Sequence, residues 1–238
     1  MLHDTSLAER TKLLGRLNAE RRQFPMVRIE KDYVFHCADG KRSLADLFNS
    51  RIQLIVYHFM FAPEWEKGCA GCTGYVDALG DLPMLNGPDT TFVLVSLAPL
   101  AKLEAYKAQR GWRVPWVSSF ASDFNYDFHA AGDRKRGSAT SRGDMENEDH
   151  GHSVFFRLGD DVFHTYSVYA RGTESLMDGY SLVDPTLSRP PQDSRWPSRP
   201  DSWTNRERMR AMIRDERPLA MAKADTRLPR RTPRAVDR

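Results

Sequence analysis

Two cysteines spaced as Cys69-Ala70-Gly71-Cys72 are the residues of this chain best suited to chemistry. On a helix, that spacing puts the second thiol about one turn after the first and on the same face. One sulfur can then attack a disulfide and the other can resolve the mixed disulfide that results. Only the thiolate attacks, and a cysteine at a helix N-terminus is acidified by the helix dipole and by the free N–H groups of the first turn. Cys69 is therefore expected to be the nucleophile and Cys72 the resolving thiol, with Gly71 allowing a tight turn and the approach of a substrate backbone. Two other readings stay open. The pair could be idle reduced thiols on a non-catalytic binding module, or half of a zinc site. Zinc takes about four ligands, and without a second C-x-x-C they would have to come from His36, His58, His129, His150, His152 or His164.

Other groups could tune the pair. His58 interrupts an apolar run just ahead of it, where a core histidine is the simpler reading and a partner of Cys69 the sharper one. Trp65, Glu64 and Glu66 lie in the short stretch before Cys69, and one of the carboxylates could relay protons. Cys37 stands alone and is expected to be a half-buried hydrophobe. The run Phe120-Ala121-Ser122-Asp123-Phe124-Asn125-Tyr126-Asp127-Phe128 suits a helical core segment better than a partner groove.

The elements that must position these residues follow from periodicity. Ser6 with Glu9 three residues later is a capping box, and Leu7, Leu13, Leu14 and Leu17 recur at helical spacing, predicting an N-terminal helix over residues 1–24 packed on the core. Ser43 is expected to cap a short helix at residues 44–48. Residues 53–61 (QLIVYHFMF) read as a strand buried on both faces. Cys69 to Gly80 reads as a helix, residues 91–97 as a second buried strand, Pro99 as the opening of a helix ending at Gly111, and residues 114–118 as a third strand. Residues 153–156 and 162–169 flank the turn Leu158-Gly159-Asp160-Asp161 as a β-hairpin, followed by a last helix at residues 172–180. Strand, helix, strand, helix, strand and hairpin demand parallel strands with crossover helices beside antiparallel ones. The expected fold class is α/β and thioredoxin-like: a central mixed sheet flanked by helices over residues 25–185. The charged stretch 132–151 is expected to be a loop too polar to pack.

Composition bounds the function classes. With 40% hydrophobic and 28% charged residues the chain is globular in character, and no stretch reaches the roughly 18 apolar residues that span a bilayer. The N-terminus lacks an apolar h-region with a cleavage site, which makes the cytoplasm the expected compartment, with no membrane partner. Three cysteines make no disulfide framework. The net charge of +3 is unevenly spread: residues 204–238 hold eleven Lys/Arg against five Asp/Glu, so the remainder carries −3. Residues 186–238, rich in proline and arginine, are expected to form a polar, basic and largely irregular tail. With acids interleaved and no binding motif, nucleic acid is not the expected partner.

Several long segments resemble DUF899, a bacterial family of thioredoxin-like proteins regarded as dithiol-disulfide oxidoreductases. They are LADLF at Leu44, QLIVYHFMF at Gln53, GCAGC at Gly68, VSLAPLAKLEAYKAQRGW at Val95, PWVSSFASDFNYDF at Pro115, and SVFFR with VFHTYSVYARG up to Gly172. The resemblance covers residues 5–185. It implies thiol-disulfide exchange through Cys69 and Cys72 with no cofactor and no metal, on a protein or small-molecule disulfide, with an electron donor that remains to be identified. Two departures from relatives of the fold stand out. Thioredoxins carry a cis-proline just before the strand corresponding to residues 153–156, where this chain has Gly151-His152, so His152 is expected to face the dithiol. Peroxiredoxins carry Thr or Ser three residues before the reactive cysteine, where this chain has Glu66, which argues against a peroxidase of that design.

Overall fold

The computed structural model describes residues 6–80 and 82–176. The basic tail and the end of the last expected helix lie outside the described residues. In chain order the elements are α1 (Ser6–Arg21), β1 (Val27–Arg28), β2 (Val34–Cys37), β3 (Gly40–Ser43), β4 (Gln53–His58), α2 (Ala70–Asp77), β5 (Thr90–Ser96), α3 (Leu100–Arg110), β6 (Trp116–Ser118), α4 (Phe124–Asp127), β7 (Gly151–Leu158) and β8 (Asp161–Tyr169). The strands form one sheet in the order β1-β8-β7-β4-β5-β6-β2-β3. β4, β5 and β6 are mutually parallel, and α2 and α3 make the two crossovers. β7 lies antiparallel on the other side of β4, and β8 pairs antiparallel with β7. A mixed sheet with this order, flanked by helices, is the thioredoxin-like fold.

β4 sits near the middle of the sheet, and its alternation builds two cores. Leu54 and Val56 point into a cluster with Val93, Val95, Phe124, Phe128 and Phe155. Tyr57 and Phe59 point the other way, into a cluster with Leu94, Trp116, Leu103, Tyr75 and Cys72. α2 and α3 thus cover one face, while α4 and the turn at residues 46–48 cover the other. That turn starts later than expected, with Ala45 as its N-cap and no side-chain cap; Ser43, two residues before it, exchanges bonds with Asp46, its N–H donating to the carboxylate at 2.8 Å and its Oγ accepting from the Asp46 N–H at 3.2 Å. The segment 120–128 is core, with Phe124 and Phe128 buried.

Three expectations are corrected. β4 ends at His58, and Phe59 to Phe61 run on as extended chain held by Phe59 N–H to Val95 O (2.9 Å) and Ala98 N–H to Phe61 O (2.8 Å). α1 does not seat its leucines on the core: Leu13, Leu14 and Leu17 are 55%, 39% and 40% exposed. Both faces of the central strands are already covered, so α1 meets the domain through its end, where the Arg21 guanidinium stacks on Tyr166. The stretch 132–151 is not an unpacked loop. Gly132 N–H donates to Asn147 O (2.8 Å), Asp149 N–H to Ala130 O (2.8 Å) and Thr140 N–H to Asp144 O (2.7 Å), and Thr140, Glu148 and Asp149 are buried. Its backbone polar groups satisfy one another, so the segment packs without an apolar core of its own. Among the described residues no helix is long and apolar enough to cross a membrane.

Candidate active site

The C-terminal ends of β4, β5 and β6 present extended backbone that a set of small hydroxyls ties together. Ser96 Oγ donates to Phe59 O (2.6 Å), and Trp116 Nε1 donates to Ser96 Oγ (3.0 Å). Ser118 Oγ donates to Ala98 O (2.7 Å). On this platform the chain turns from Phe61 through Gly68 into α2. The Cys69 N–H donates to Met60 O at 3.0 Å, which anchors the helix start to the strand end. Lys102 of α3 holds the turn from outside, donating to Pro63 O at 2.7 Å and to Trp65 O.

Cys69 is the N-cap of α2, with φ −52° and ψ 129°. Its carbonyl accepts the Thr73 N–H at 2.9 Å and the Thr73 hydroxyl at 2.9 Å. The sulfur is half-buried, while Cys72 on the next turn is 1% exposed. Both are free thiols. Their acidities diverge. A hydrogen bond from the Cys72 thiol, opposed by burial and helped by the Cys72 and Gly71 N–H groups, pulls Cys69 down to about 6. Burial, then the neighbouring Cys69, pushes Cys72 well above the ordinary thiol range, with Tyr57 hydrogen-bonded to it as a weaker counterweight. At neutral pH this holds Cys69 as a thiolate and Cys72 as a thiol, so the two sulfurs differ in what chemistry they can do.

The structure brings some of the expected residues to this site and leaves others away from it. His152 of β7 lies on the dithiol face, its ring 4.8 Å from Tyr57 and its Nε2 2.9 Å from the Tyr75 hydroxyl of α2. Burial lowers its pKa to about 4, so it is a neutral imidazole bound to Tyr75 and no imidazolium beside Cys69. His58 faces the opposite side of the sheet, stacked near Phe124 and hydrogen-bonded to Ser153 Oγ at 2.8 Å. The pleat of β4 puts it there, one residue beyond Tyr57. Glu66 is exposed, and Trp65 is half-buried against the α2 and α3 core. Cys37 packs against the cluster on the far face, with its pKa raised by burial, and is remote from the pair. Gly71 lies in the first turn of α2, where a Cβ would meet Cys69 Sγ at an ordinary 3.8 Å. The glycine that space requires is Gly68, whose Cβ would come 2.6 Å from the buried Phe59 ring. No group of three His, Cys, Asp or Glu able to hold a metal occurs among the described residues.

Sequence reasoning missed Tyr57 and Glu148. Tyr57 was legible only as one aromatic in a buried strand, yet its hydroxyl is the side-chain group that pulls the Cys72 pKa down against burial. Glu148 sits at the end of the polar stretch, 5% exposed, and neither oxygen has a hydrogen-bond partner. Burial raises its pKa to about 8. The Phe61 backbone N–H opposes the rise, and the charges of Glu64 and Cys69 add to it. No signal in the sequence distinguishes it from the eight other charged residues around it between Asp133 and Asp149.

The chain belongs to the family described as bacterial protein of unknown function (DUF899), whose model matches residues 5–208. No curated protein matches. Solved structures similar to it include a cysteine mutant of PrxQ from Xylella fastidiosa, 11% identical over 64% of this chain and 87% of that one, with a TM-score of 0.44. Another is the bacterioferritin comigratory protein of Xanthomonas campestris, 11% identical over 70% and 93%, TM-score 0.39. A third is the peroxidoxin BcpB of Mycobacterium tuberculosis, 18% identical over 59% and 84%, TM-score 0.36.

Proposed function

We propose that this member of the DUF899 family is a thiol-disulfide oxidoreductase in which Cys69 attacks and Cys72 resolves. The observation that carries the reading is the asymmetry of the pair: an acidified, accessible sulfur at the N-cap of α2 and a buried, protonated one a turn later. The Cys69 thiolate attacks one sulfur of a substrate disulfide, whose S–S bond breaks and releases one thiol. Cys72 then loses its proton and attacks the Cys69 sulfur of the mixed disulfide, releasing the second thiol and leaving a Cys69–Cys72 disulfide. A dithiol donor, most simply in a reducing cytoplasm, returns the pair to its starting state by the reverse exchange. The half-buried position of Cys69 suits a small disulfide or an exposed one on a protein.

Trapping tests the roles. Cys72→Ser exposed to an organic disulfide should accumulate a mixed disulfide at Cys69, seen by mass spectrometry of the intact protein and its peptides. Cys69→Ser should form no adduct at Cys72 under the same conditions, and Cys37→Ser should turn over like the parent. A Cys37→Ser protein that loses turnover would make Cys37 the resolving thiol and overturn the two-cysteine scheme.

A further inference from the structure

Glu148 is an unusual group to find just past the strand end that carries the dithiol helix. Its neighbour Asp149 is equally buried but braced: one oxygen accepts from Ser141 Oγ at 2.8 Å and from Arg142 Nε at 2.9 Å. Glu148 has no such brace on either oxygen. A buried carboxyl without partners contributes nothing to holding its segment in place and costs stability if it ionises. It therefore stays a neutral acid at neutral pH, which the raised pKa expresses. The backbone delivers it deliberately: Ala131 and Glu148 form an isolated antiparallel bridge, and the Gly132 N–H to Asn147 O bond locks the adjacent pair. Its place follows from the sheet: β7 starts at Gly151, opposite His58 at the end of β4, so Glu148, three residues earlier, lies just past that strand end, where Met60 O accepts the Cys69 N–H at 3.0 Å and the charges of Glu64 and Cys69 reach it.

We propose that Glu148 is a general acid that protonates the thiol leaving a disulfide under attack by Cys69. The proposal rests on the thiol-disulfide exchange argued above and adds the proton to it. As the Cys69–sulfur bond forms and the substrate S–S bond breaks, the electron pair goes to the departing sulfur and the Glu148 proton joins it. The departing group is then a neutral thiol and Glu148 a carboxylate. When Cys72 attacks, the proton it loses restores the Glu148 acid, and the second substrate sulfur departs as a thiolate that water protonates. The dithiol is oxidised, the substrate disulfide is reduced, and one negative charge passes from Cys69 to the second product.

General acid catalysis matters in proportion to how badly the leaving group needs the proton. The test compares Glu148→Gln with the parent in single-turnover reactions of three reagents. With an alkyl disulfide such as hydroxyethyl disulfide, whose thiol is a weak acid, the variant should be slower by about 100-fold, the low end of acid–base effects. With an aromatic disulfide such as dithiobisnitrobenzoate, whose thiolate leaves without a proton, and with iodoacetamide, which releases iodide, it should stay within about threefold. Equal slowing with all three reagents would mean that Glu148 only shapes the site or the thiolate, and overturns the proposal. An unchanged rate with the alkyl disulfide overturns it too. The parent protein gives an independent reading: its rate should fall less steeply with leaving-thiol pKa than that of a small free thiolate, and equal slopes are again a refutation. A parent that reacts with iodoacetamide but with neither disulfide would instead defeat the exchange reading itself.

Discussion

The two thiols differ because their surroundings do. Cys69 has backbone N–H groups and a thiol acting on it, whereas Cys72 is dominated by burial, with the Tyr57 phenol and the Met60 backbone as its only counterweights. Tyr57 is fixed by packing on every side, its ring 4.4 Å from Tyr75, 4.8 Å from His152 and 6.4 Å from Phe59. In the proposed exchange its hydroxyl thus offers a hydrogen bond to Cys72 as that sulfur becomes a thiolate. Tyr57→Phe removes that bond while keeping the ring. A hydrogen bond to an ionised group is worth about 1.5–3 kcal/mol, so resolution should slow by at least tenfold. Stopped-flow quenching with mass analysis should show the mixed disulfide accumulating in the variant. The first step should be untouched: alkylation of Cys69 should keep its midpoint near pH 6, because Tyr57 is not among the groups that set it. Parallel loss of both steps would assign Tyr57 a packing role only.

The elements around the dithiol were legible to different degrees. The parallel strands, both crossover helices and the hairpin show in the sequence because their signals are local: β-branched runs, Pro99 before a helix, and Gly111 in the left-handed conformation at its end, with φ 68°. The position of Cys69 at a helix start follows from the same signals. What could not be read was which side of β4 each residue faces, because a strand buried on both faces lacks polar alternation; His58 and Tyr57 exchange their expected importance for that reason. The stretch 132–151 was illegible for another reason: its order comes from turns and non-local bonds between polar groups, for which composition carries no signal. It holds its form through close approach of backbones. A Cβ at position 132 would lie 2.3 Å from the Asp144 carbonyl oxygen and 2.7 Å from Met145 Cα. Gly132→Ala should therefore cost about 1–3 kcal/mol, in the range of overpacked sites, measured by chemical denaturation. It should also raise hydrogen exchange across residues 132–149 before it affects β4. A variant as stable as the parent would show that the segment yields at no cost.

The molecule as a whole carries ionisable groups buried on both sides of its sheet, and they pull its stability in opposite directions with pH. His58 on one face and His152 on the other are held neutral, with pKa values lowered by burial to about 3 and about 4. Between about pH 4.5 and 6.5 the unfolded chain binds protons at both histidines and the native chain does not. Their contribution is present above 6.5 and is lost as the pH falls. Glu148 runs the other way: its native acid keeps a proton up to about pH 8, while the unfolded side chain releases it near 4.5. Its contribution is present below 4.5 and lost as the pH rises. Around pH 5.5 unfolding therefore takes up two protons at the histidines and releases one at Glu148. Each proton of net uptake tilts stability by about 1.4 kcal/mol per pH unit. Glu148→Gln should steepen the rise of unfolding free energy with pH in this window by about that amount, and His152→Gln should flatten it by about as much. Urea denaturation at half-unit steps from pH 4.5 to 6.5 measures both slopes, and all other groups cancel in the differences from the parent. If Glu148→Gln leaves the slope unchanged, the native carboxyl ionises as it does in water and is not a buried acid.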